Sequence, residues 1–316
     1  MRYSVAHHSL PGTREVNQDR VAVSERDDLV LMIVADGLGG YDGGELAADT
    51  LTEVMVNSFE RARERAFEDP ASFLILSMYF AHTMINKRAL ENNMDISSPR
   101  TTCVACLVRN GLAYWAHIGD SRLYYIRNNE ELFHTTDHTT VMRMLDEGII
   151  SEKGVRSENA RLLRCVGGSR RHEVTLGPET QLDTGDTLLL CTDGVWRALQ
   201  QRHFERLSNT TTLDNSVVDL LAHVERRSRK DCDNISAVLF RWEDEPTSAA
   251  PVYDLTVPNI NQKDLVQQSS TKNNSDGNIK ARKRKSLKKT PRREIQSTIA
   301  ELESFVTELD SLLEED

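Results

Sequence analysis

The sequence predicts an α+β fold in which antiparallel strands pack against a pair of long helices. Up to about Trp242, apolar runs alternate with turn residues, and several runs are joined by short connections such as Arg109-Asn110-Gly111. Connections this short require neighbouring strands to be antiparallel. Two long helical patterns fall together between the early and the middle strands, which favours a layered α+β domain over a doubly wound parallel sheet.

The individual elements follow from the spacing of apolar residues along the chain. Strands are expected where apolar and β-branched residues run between turn residues. These runs are Asp19–Ser24, Leu29–Ala35, Thr101–Arg109, Leu112–Ile118, Arg122–Ile126, Thr187–Thr192 and Ile235–Trp242. Helices are expected at about Glu45–Ala66, Ala71–Glu91 and Asn215–Arg227, where apolar side chains recur at helical spacing.

The composition excludes fibrous and wholly disordered proteins. A chain of 316 residues with 39% apolar and 28% charged residues can bury a large core. The apolar run Leu29–Ala35 is far too short to cross a bilayer, and the N-terminus lacks the apolar stretch of a secretory signal. We therefore expect a soluble, cytoplasmic protein without a membrane span.

The cysteines and histidines give no strong functional signal. Five cysteines, an odd number, argue against a disulfide scaffold. Cys103 and Cys106 have metal-like spacing, but they lie in an apolar run where a buried strand is favoured over a zinc site. We expect His7, His8 and His138 to be surface or strand-packing residues.

A polar segment follows the predicted domain. Residues 243–291 are rich in Ser, Thr, Asn, Asp, Gln and Lys, a composition that buries too little apolar surface to fold, so we expect a disordered linker. Nine of the fourteen residues of Lys280–Arg293 are basic. This cluster is read either as a weak, salt-sensitive site for nucleic acid or anionic lipid or as a solvated tether. The net charge of −10 argues against nucleic acid as a partner.

An acidic amphipathic helix is predicted at residues 292–316. Its apolar seam consists of Ile295, Leu302, Phe305, Leu309 and Leu312. Glu294–Asp316 contains eight acidic residues and no basic residue, so two parallel copies would repel each other. A basic or apolar groove on a protein partner is therefore favoured, and a helix that folds back onto the protein's own core is the alternative.

Five short acidic motifs occupy predicted strand ends or adjacent turns. They are Asn17-Gln18-Asp19-Arg20, Val34-Ala35-Asp36-Gly37-Leu38-Gly39-Gly40, Gly119-Asp120-Ser121-Arg122, Cys191-Thr192-Asp193-Gly194 and Asp233-Asn234. Each motif alone is typical of a turn or a cap. Carboxylates that a folded sheet brings together repel one another unless cations lie between them. Because the motifs contain no His or Cys, magnesium or manganese is favoured over zinc.

Glycine allows the backbone to approach a ligand in the second of these motifs. Gly37, Gly39 and Gly40 leave a carbonyl exposed that side chains would cover. A dinucleotide or Walker-type phosphate loop is not supported, since the chain has no Gly-x-Gly-x-x-Gly in a strand-to-helix context and no Gly-Lys-Ser/Thr. The glycines therefore point to the same metal site as the carboxylates.

The order of the motifs along the chain is the most specific signal. It is Arg14…Asn17-Gln18-Asp19, Asp36-Gly37-x-Gly39-Gly40…Gly43-Gly44-Glu45, Thr101-Thr102, Gly119-Asp120-Ser121-Arg122, Thr192-Asp193-Gly194 and Asp233-Asn234. This order resembles the metal-dependent serine/threonine protein phosphatases of the 2C type, and their bacterial branch in particular. The resemblance implies a phosphatase domain over residues 1–242, built as a four-layer α-β-β-α sandwich of two antiparallel sheets flanked by helices.

The resemblance also implies a role for each matching residue. Asp36 would bridge two Mn²⁺ or Mg²⁺ ions. Asp193 and Asp233 would complete the shell of the first ion, and Asp19 with the Gly37 carbonyl would hold the second. Asp120 would hold a third ion together with Asp193. Arg14 would bind the substrate phosphate through its planar fork.

The implied activity is hydrolysis of phosphoserine and phosphothreonine in phosphorylated proteins by a metal-activated water, in opposition to a bacterial Ser/Thr kinase. Position 38 is Leu, where eukaryotic members often carry a His, so no general acid is assigned. The alternative is a catalytically silent module that binds phosphoproteins on the same fold.

Overall fold

Two antiparallel sheets pack face to face, and helices cover their outer faces. The computed structural model describes residues 1–38, 43–151, 160–209, 212–228 and 231–244. The predicted linker beyond Asp244 and the predicted helix at residues 292–316 lie outside these described residues. So do Gly39 and Gly40. In the described part of the chain, no helix combines the length and the apolarity that crossing a bilayer requires.

The strands follow one another in short antiparallel connections. Strands β1 to β13 are Tyr3–Leu10, Asp19–Arg26, Leu29–Leu38, Arg100–Thr101, Cys103–Arg109, Leu112–Ile118, Arg122–Arg127, Glu130–His134, Val166–Gly167, Thr175–Leu176, Thr180–Gln181, Thr187–Cys191 and Ile235–Trp242. The first sheet has the order β1-β13-β12-β7-β8. The second has the order β10-β6-β5-β3-β4-β9, with β2 also paired to β3 and β11 to β6.

The helices fall into two groups. Helices α1 to α6 are Gly43–Arg61, Pro70–Glu91, Thr140–Asp146, Asp193–Trp196, Gln201–Asn209 and Leu213–Ser228, and a 3-10 turn lies at Glu64–Phe67. Helix α1 packs on β3 of the second sheet, while α6 packs on β1 and β13 of the first. The predicted four-layer sandwich is confirmed.

The alternation of side chains along the strands explains why there are four layers. In β12, Leu188 and Leu190 join the apolar core between the two sheets. Leu189 and Cys191, on the opposite face of the same strand, join the core beneath α5 and α6. Because both faces of such a strand are covered, its sequence is continuously apolar rather than alternating.

Most predicted elements agree with the structure. The predicted runs Leu112–Ile118 and Ile235–Trp242 coincide with β6 and β13. The first predicted helix ends at Arg61 rather than near Ala66, and the 3-10 turn follows it. Strand β1 was not predicted, because its polar sequence, with neighbouring histidines, is extended only through its pairing with β13.

The predicted run Thr101–Arg109 divides into β4 and β5 at Thr102. The backbone N–H of Thr102 donates to the carbonyl of Asp36 at 2.9 Å. Cys103 and Cys106 are buried on β5, and both are free thiols. Burial raises the pKa of each thiol well above its ordinary value. The prediction of a buried strand is confirmed.

Two glycines bring the end of β3 and the start of α1 into backbone contact. A Cβ placed on Gly37 would lie 2.3 Å from the carbonyl oxygen of Gly44. A Cβ on Gly44 would lie 2.7 Å from the carbonyl carbon of Gly37. Neither separation is compatible with a side chain, so both positions need glycine for space. The backbone that follows Asp36 is thereby fixed against the first turn of α1.

We predict that Gly44→Ala destabilises the protein by about 2 kcal/mol or more, although alanine is the better helix former by about 1 kcal/mol. The added methyl group collides with backbone, which cannot rotate away as a side chain can. The measurement is the free energy of unfolding from urea titration. Gly148→Ala is the matched control, because a Cβ there meets nothing within 4 Å and only its positive φ opposes the substitution. Equal losses for the two variants would contradict the contact argument.

Candidate active site

Two of the five predicted carboxylates lie directly opposite each other. The antiparallel register of β2 and β3 pairs Asp19 with Asp36. Side chains of a directly opposed pair lie on the same face of the sheet. Asp19 is only 2% exposed, and its Oδ2 accepts a hydrogen bond of 2.9 Å from the hydroxyl of Thr192. Its Oδ1 is buried and accepts no hydrogen bond from the described residues.

The other three carboxylates come from elements that end beside this pair. Asp120 lies in the turn between β6 and β7, Asp193 begins α4 directly after β12, and Asp233 precedes β13. Burial raises the pKa of Asp36 well above its ordinary value, and the charges of the other four carboxylates raise it further. The fold therefore brings all five predicted acidic residues into one electrostatic cluster.

Burial is the main cause of the altered acidity throughout this cluster. It raises the pKa of Asp19 to about 7, against the opposing hydrogen bonds of the Ser236 and Thr192 hydroxyls, and the charges of Asp193 and Asp233 add to the rise. Burial and the charge of Asp193 likewise raise the pKa of Asp120 to about 7. In the ionised state these side chains need positive charge nearby.

Two arginines already supply part of that charge. The Nε of Arg14 lies 3.0 Å from Oδ1 of Asp233, and its Nη2 donates to Oδ2 at 3.1 Å. One turn along α4, Nη2 of Arg197 lies 2.7 Å from Oδ2 of Asp193. The Arg197 charge opposes the rise in the pKa of Asp193 that burial causes.

The residues of the cluster fit hard divalent cations in their chemistry. All five side chains offer oxygen ligands, and the unpartnered, buried Oδ1 of Asp19 lacks a compensating donor. Across the described residues, no three His, Cys, Asp or Glu side chains are arranged to ligate one ion as they stand.

Hydrogen bonds fix the backbone at the end of β3. The N–H of Asp36 donates to Oγ1 of Thr102 at 3.0 Å, and its carbonyl accepts from the hydroxyl of Thr101 at 3.0 Å. The Thr102 hydroxyl in turn lies 2.7 Å from that of Ser121. These residues act on the site through the backbone that carries Asp36.

Asn234 joins the segment that carries Arg14 to the segment that carries Asp233. Its Oδ1 accepts from the N–H of Gln18 at 2.9 Å. Its Nδ2 donates to the carbonyls of Pro11 at 2.9 Å and Val16 at 3.1 Å. The two residues of the motif Asp233-Asn234 therefore have different roles. Asp233 belongs to the carboxylate cluster, and Asn234 closes the loop that carries Arg14.

A second group of residues supports Asp120, and sequence reasoning did not assign it. The indole N–H of Trp196 donates to the carbonyl of Asp120 at 2.7 Å. The guanidinium of Arg122 stacks 3.6 Å from the Trp196 ring and bonds to both carboxylate oxygens of Asp137 at 2.7 and 2.8 Å. The i,i+4 spacing of Asp193 and Arg197 could have predicted their ion pair from the sequence. No sequence pattern indicates the contact between Trp196 and Asp120.

His138 is structural, as predicted. Its Nδ1 accepts from the N–H of Gly119 at 3.1 Å, and its Nε2 lies 2.9 Å from the hydroxyl of Thr175. Burial, together with the neighbouring His117, lowers the pKa of His138 to about 3. The neutral ring therefore holds the turn that presents Asp120.

Comparison with known proteins identifies the family of this chain. The family model described as protein phosphatase 2C matches residues 12–237. The chain belongs to the protein phosphatase 2C family. It is 28% identical over 230 residues to the serine/threonine phosphatase stp of Listeria welshimeri, a match that covers 72% of this chain and 90% of the relative.

Solved structures of other members of the protein phosphatase 2C fold are similar. The Streptococcus agalactiae serine/threonine phosphatase superposes with a TM-score of 0.70 at 23% identity and covers 77% of this chain and 100% of its own. The catalytic domain of the serine/threonine protein phosphatase PstP, in complex with two manganese ions, gives a TM-score of 0.63 at 25% identity. That match covers 77% of this chain and 99% of the PstP domain.

We predict that Asp19→Asn stabilises the metal-free protein and that the gain grows as pH rises. The ordinary carboxyl pKa of 3.8 is raised to about 7 in the folded state, so folding favours the protonated side chain. The penalty for the wild type is absent below about pH 4, increases through about pH 7 and is constant above it, where it is on the order of 4 kcal/mol.

The measurement is the difference in Tm between variant and wild type after chelation, across this pH range. The difference between the two proteins is measured because other groups also change stability with pH. The pKa of the buried His138 is lowered, so its contribution to stability increases as pH rises over the same range, opposite in sign to that of Asp19. Asp27→Asn, at a turn position that is 78% exposed, is the control. A pH-independent difference for Asp19→Asn would show that its carboxyl is not strained by burial.

Proposed function

We propose that this chain hydrolyses phosphoserine and phosphothreonine in phosphorylated proteins as a metal-dependent serine/threonine protein phosphatase. The observation that carries the proposal is the directly opposed pair of Asp19, which is buried, and Asp36, which is half-buried, with three further carboxylates around it. Membership of the protein phosphatase 2C family and the names of its relatives support the same activity. The silent phosphoprotein-binding alternative has no observation in its favour, since all five acidic residues are present.

The five carboxylates are proposed to hold manganese or magnesium ions. Asp36 would contact two ions, with Asp193 and Asp233 on the first, and Asp19 and the Gly37 carbonyl on the second. Asp120 would share a third with Asp193. The manganese ions in the PstP catalytic domain support this choice of metal. When bound, such ions lower the pKa of water and neutralise the charge of phosphoryl oxygens.

Arg14 is proposed to bind the phosphate of the substrate. Its side chain is 61% exposed, so an incoming phosphoryl group can reach it, and Asp233 holds its guanidinium beside the carboxylate cluster. A guanidinium binds two phosphate oxygens at once through parallel N–H donors. Arg14 therefore orients the phosphoryl group and stabilises the negative charge that develops on it during attack by water.

The physiological setting follows from this reaction as part of the proposal. The substrates are phosphoproteins produced by a Ser/Thr kinase, and the phosphatase opposes that kinase. We place this activity in the cytoplasm.

We predict that hydrolysis of p-nitrophenyl phosphate and of a phosphothreonine peptide requires Mn²⁺ or Mg²⁺ and is lost after exhaustive chelation. Asp193→Asn is expected to lower kcat by about 100-fold or more, since it removes a metal ligand. Its fold should be retained, because the amide relieves repulsion among the carboxylates. Steady-state kinetics and thermal melts measure the two effects.

Asp214→Asn, on an exposed helix surface away from the cluster, controls for the loss of one negative charge. Full activity after chelation would exclude the metal mechanism. An Asp193→Asn protein that unfolds, while its folded fraction turns over normally, would make Asp193 a structural cap.

The tail is proposed to recruit a protein partner through the acidic helix predicted at residues 292–316. A linker of about fifty residues with flexible composition spans roughly 40 Å, so it tethers a bound partner near the phosphatase domain. Such tethering raises the local concentration of one target without adding a catalytic contact. The competing possibility from the sequence is that the helix regulates the domain directly.

We predict that truncation after Pro246 leaves turnover of p-nitrophenyl phosphate unchanged and slows dephosphorylation of the tail-bound target. This boundary keeps the contacts that close the domain, in which Arg2 pairs with Asp244 at 2.8 Å and the N–H of Glu243 donates to the carbonyl of Arg2. The full chain with Leu302→Asp and Leu309→Asp is the matched control, because it disrupts the apolar seam alone. A several-fold change in small-substrate turnover, or a lower Tm, would favour direct regulation instead.

A further inference from the structure

A cavity of about 470 Å³ lies beside the end of β3. Leu38, two residues beyond Asp36, contributes to its wall. Leu38 pairs with Arg100 of β4, and Arg100 pairs with Gly167 of β9. The cavity therefore shares the strand end that presents the carboxylate cluster, and a bound phosphoprotein segment can extend from one to the other.

The lining of this cavity is strongly cationic. Arg100, Arg161 and Arg170 contribute to it together with His172, and no Asp or Glu from the described ranges does. We name these three residues the arginine pocket. Their guanidinium groups form no ion pair or hydrogen bond with any residue that the structure describes. All three residues are exposed, so an anion in solvent can reach them.

Several arginines elsewhere in this domain pair with an acid. Arg122 bonds to both oxygens of Asp137, and Arg127 pairs with Asp186 at 2.7 Å. Three cations around one cavity, with no acidic partner in the described ranges, repel one another, and that repulsion is relieved when an anion binds between them. The contrast favours a ligand-binding role over a structural one.

The backbone is held in place at two residues of the arginine pocket, Arg100 and Arg161. The aliphatic part of Arg100 packs over Gly168, where a Cβ would lie 3.2 Å from the Arg100 Cδ. The N–H of Arg161 donates to Oγ1 of Thr140 at 3.1 Å, and the N–H of Thr140 donates to the carbonyl of Arg161 at 2.8 Å. A site whose cations are carried by anchored backbone loses less entropy when it binds a ligand.

We propose that the arginine pocket binds a second anionic group of the substrate, so that the enzyme prefers phosphoproteins with an oxyanion near the phosphate being hydrolysed. This inference rests on the proposed phosphatase function. Guanidinium groups bind phosphate and carboxylate oxygens through paired N–H donors, and a doubly charged phosphate gains more from three of them than a carboxylate does. A second phosphorylated residue is therefore the preferred ligand, with Glu or Asp weaker.

The test compares matched phosphothreonine peptides with the full-length protein and Mn²⁺. A second position, moved from four residues before to four residues after the phosphothreonine, carries phosphoserine, Glu or Ala. For the best position we expect kcat/KM to be about tenfold higher with phosphoserine than with Ala. In the triple variant Arg100→Gln, Arg161→Gln, Arg170→Gln this ratio should fall to about one. The three single variants repeat the measurement if the triple variant does not fold.

A charge-matched control is the triple variant Arg61→Gln, Arg65→Gln, Arg227→Gln, which removes three exposed arginines that do not line this cavity. It should leave the ratio unchanged. Equal rates for Glu and phosphoserine peptides would support the pocket with a carboxylate as its ligand. Equal rates for all three peptides at every position would overturn the proposal, and so would a triple variant that loses as much activity on p-nitrophenyl phosphate as on the doubly phosphorylated peptide.

Binding separates this proposal from the proposed function. Fluorescence anisotropy with the same peptides, measured after chelation so that none is hydrolysed, reports the second anion alone. If no peptide is hydrolysed in Mn²⁺ but the arginine pocket still favours the doubly phosphorylated peptide, the phosphatase proposal fails and the anion site stands. If hydrolysis is normal and binding ignores the second anion, only the present inference fails.

Discussion

Asp19 and Asp36 lie opposite each other on neighbouring strands, and burial strengthens the repulsion between their charges, which destabilises the ionised form of both side chains. An isolated strand pair would avoid such an arrangement by placing a cation or a neutral residue opposite. Here the other acidic residues increase the repulsion instead. The folded protein is therefore stabilised by positive charge near these carboxylates, and Arg14 and Arg197 supply only part of that charge.

The surrounding structure resists the relaxation that this repulsion favours. The Gly37 to Gly44 backbone contact fixes the end of β3 from one side, and the hydroxyls of Thr101 and Thr102 fix it from the other. Asn234 closes the loop that carries Arg14. Because these restraints act on the backbone rather than on the carboxylates, the acidic side chains remain free to bind ions while their positions are preserved.

Charge is distributed unevenly around this centre. The chain as a whole is acidic, yet arginines surround the carboxylate cluster, some paired and some, in the arginine pocket, unpaired within the described residues. A phosphoprotein carries negative charge towards an acidic centre, which would repel it without bound cations. Cations at the rim reduce that repulsion and select the orientation in which the substrate approaches.

The sequence by itself determined the strands with continuous apolar runs, the helix pair, and the five acidic residues, because apolar periodicity and Asp at strand ends are local signals. Only the tertiary structure decided that β1 is a strand, since its polar sequence depends on pairing with β13. The same holds for the Trp196 bond to Asp120 and for the arginine pocket. Arg100 and Arg161 are distant in sequence, and only the antiparallel pairing of short strands brings such residues to one cavity, because contacts of this kind leave no periodic pattern in the chain.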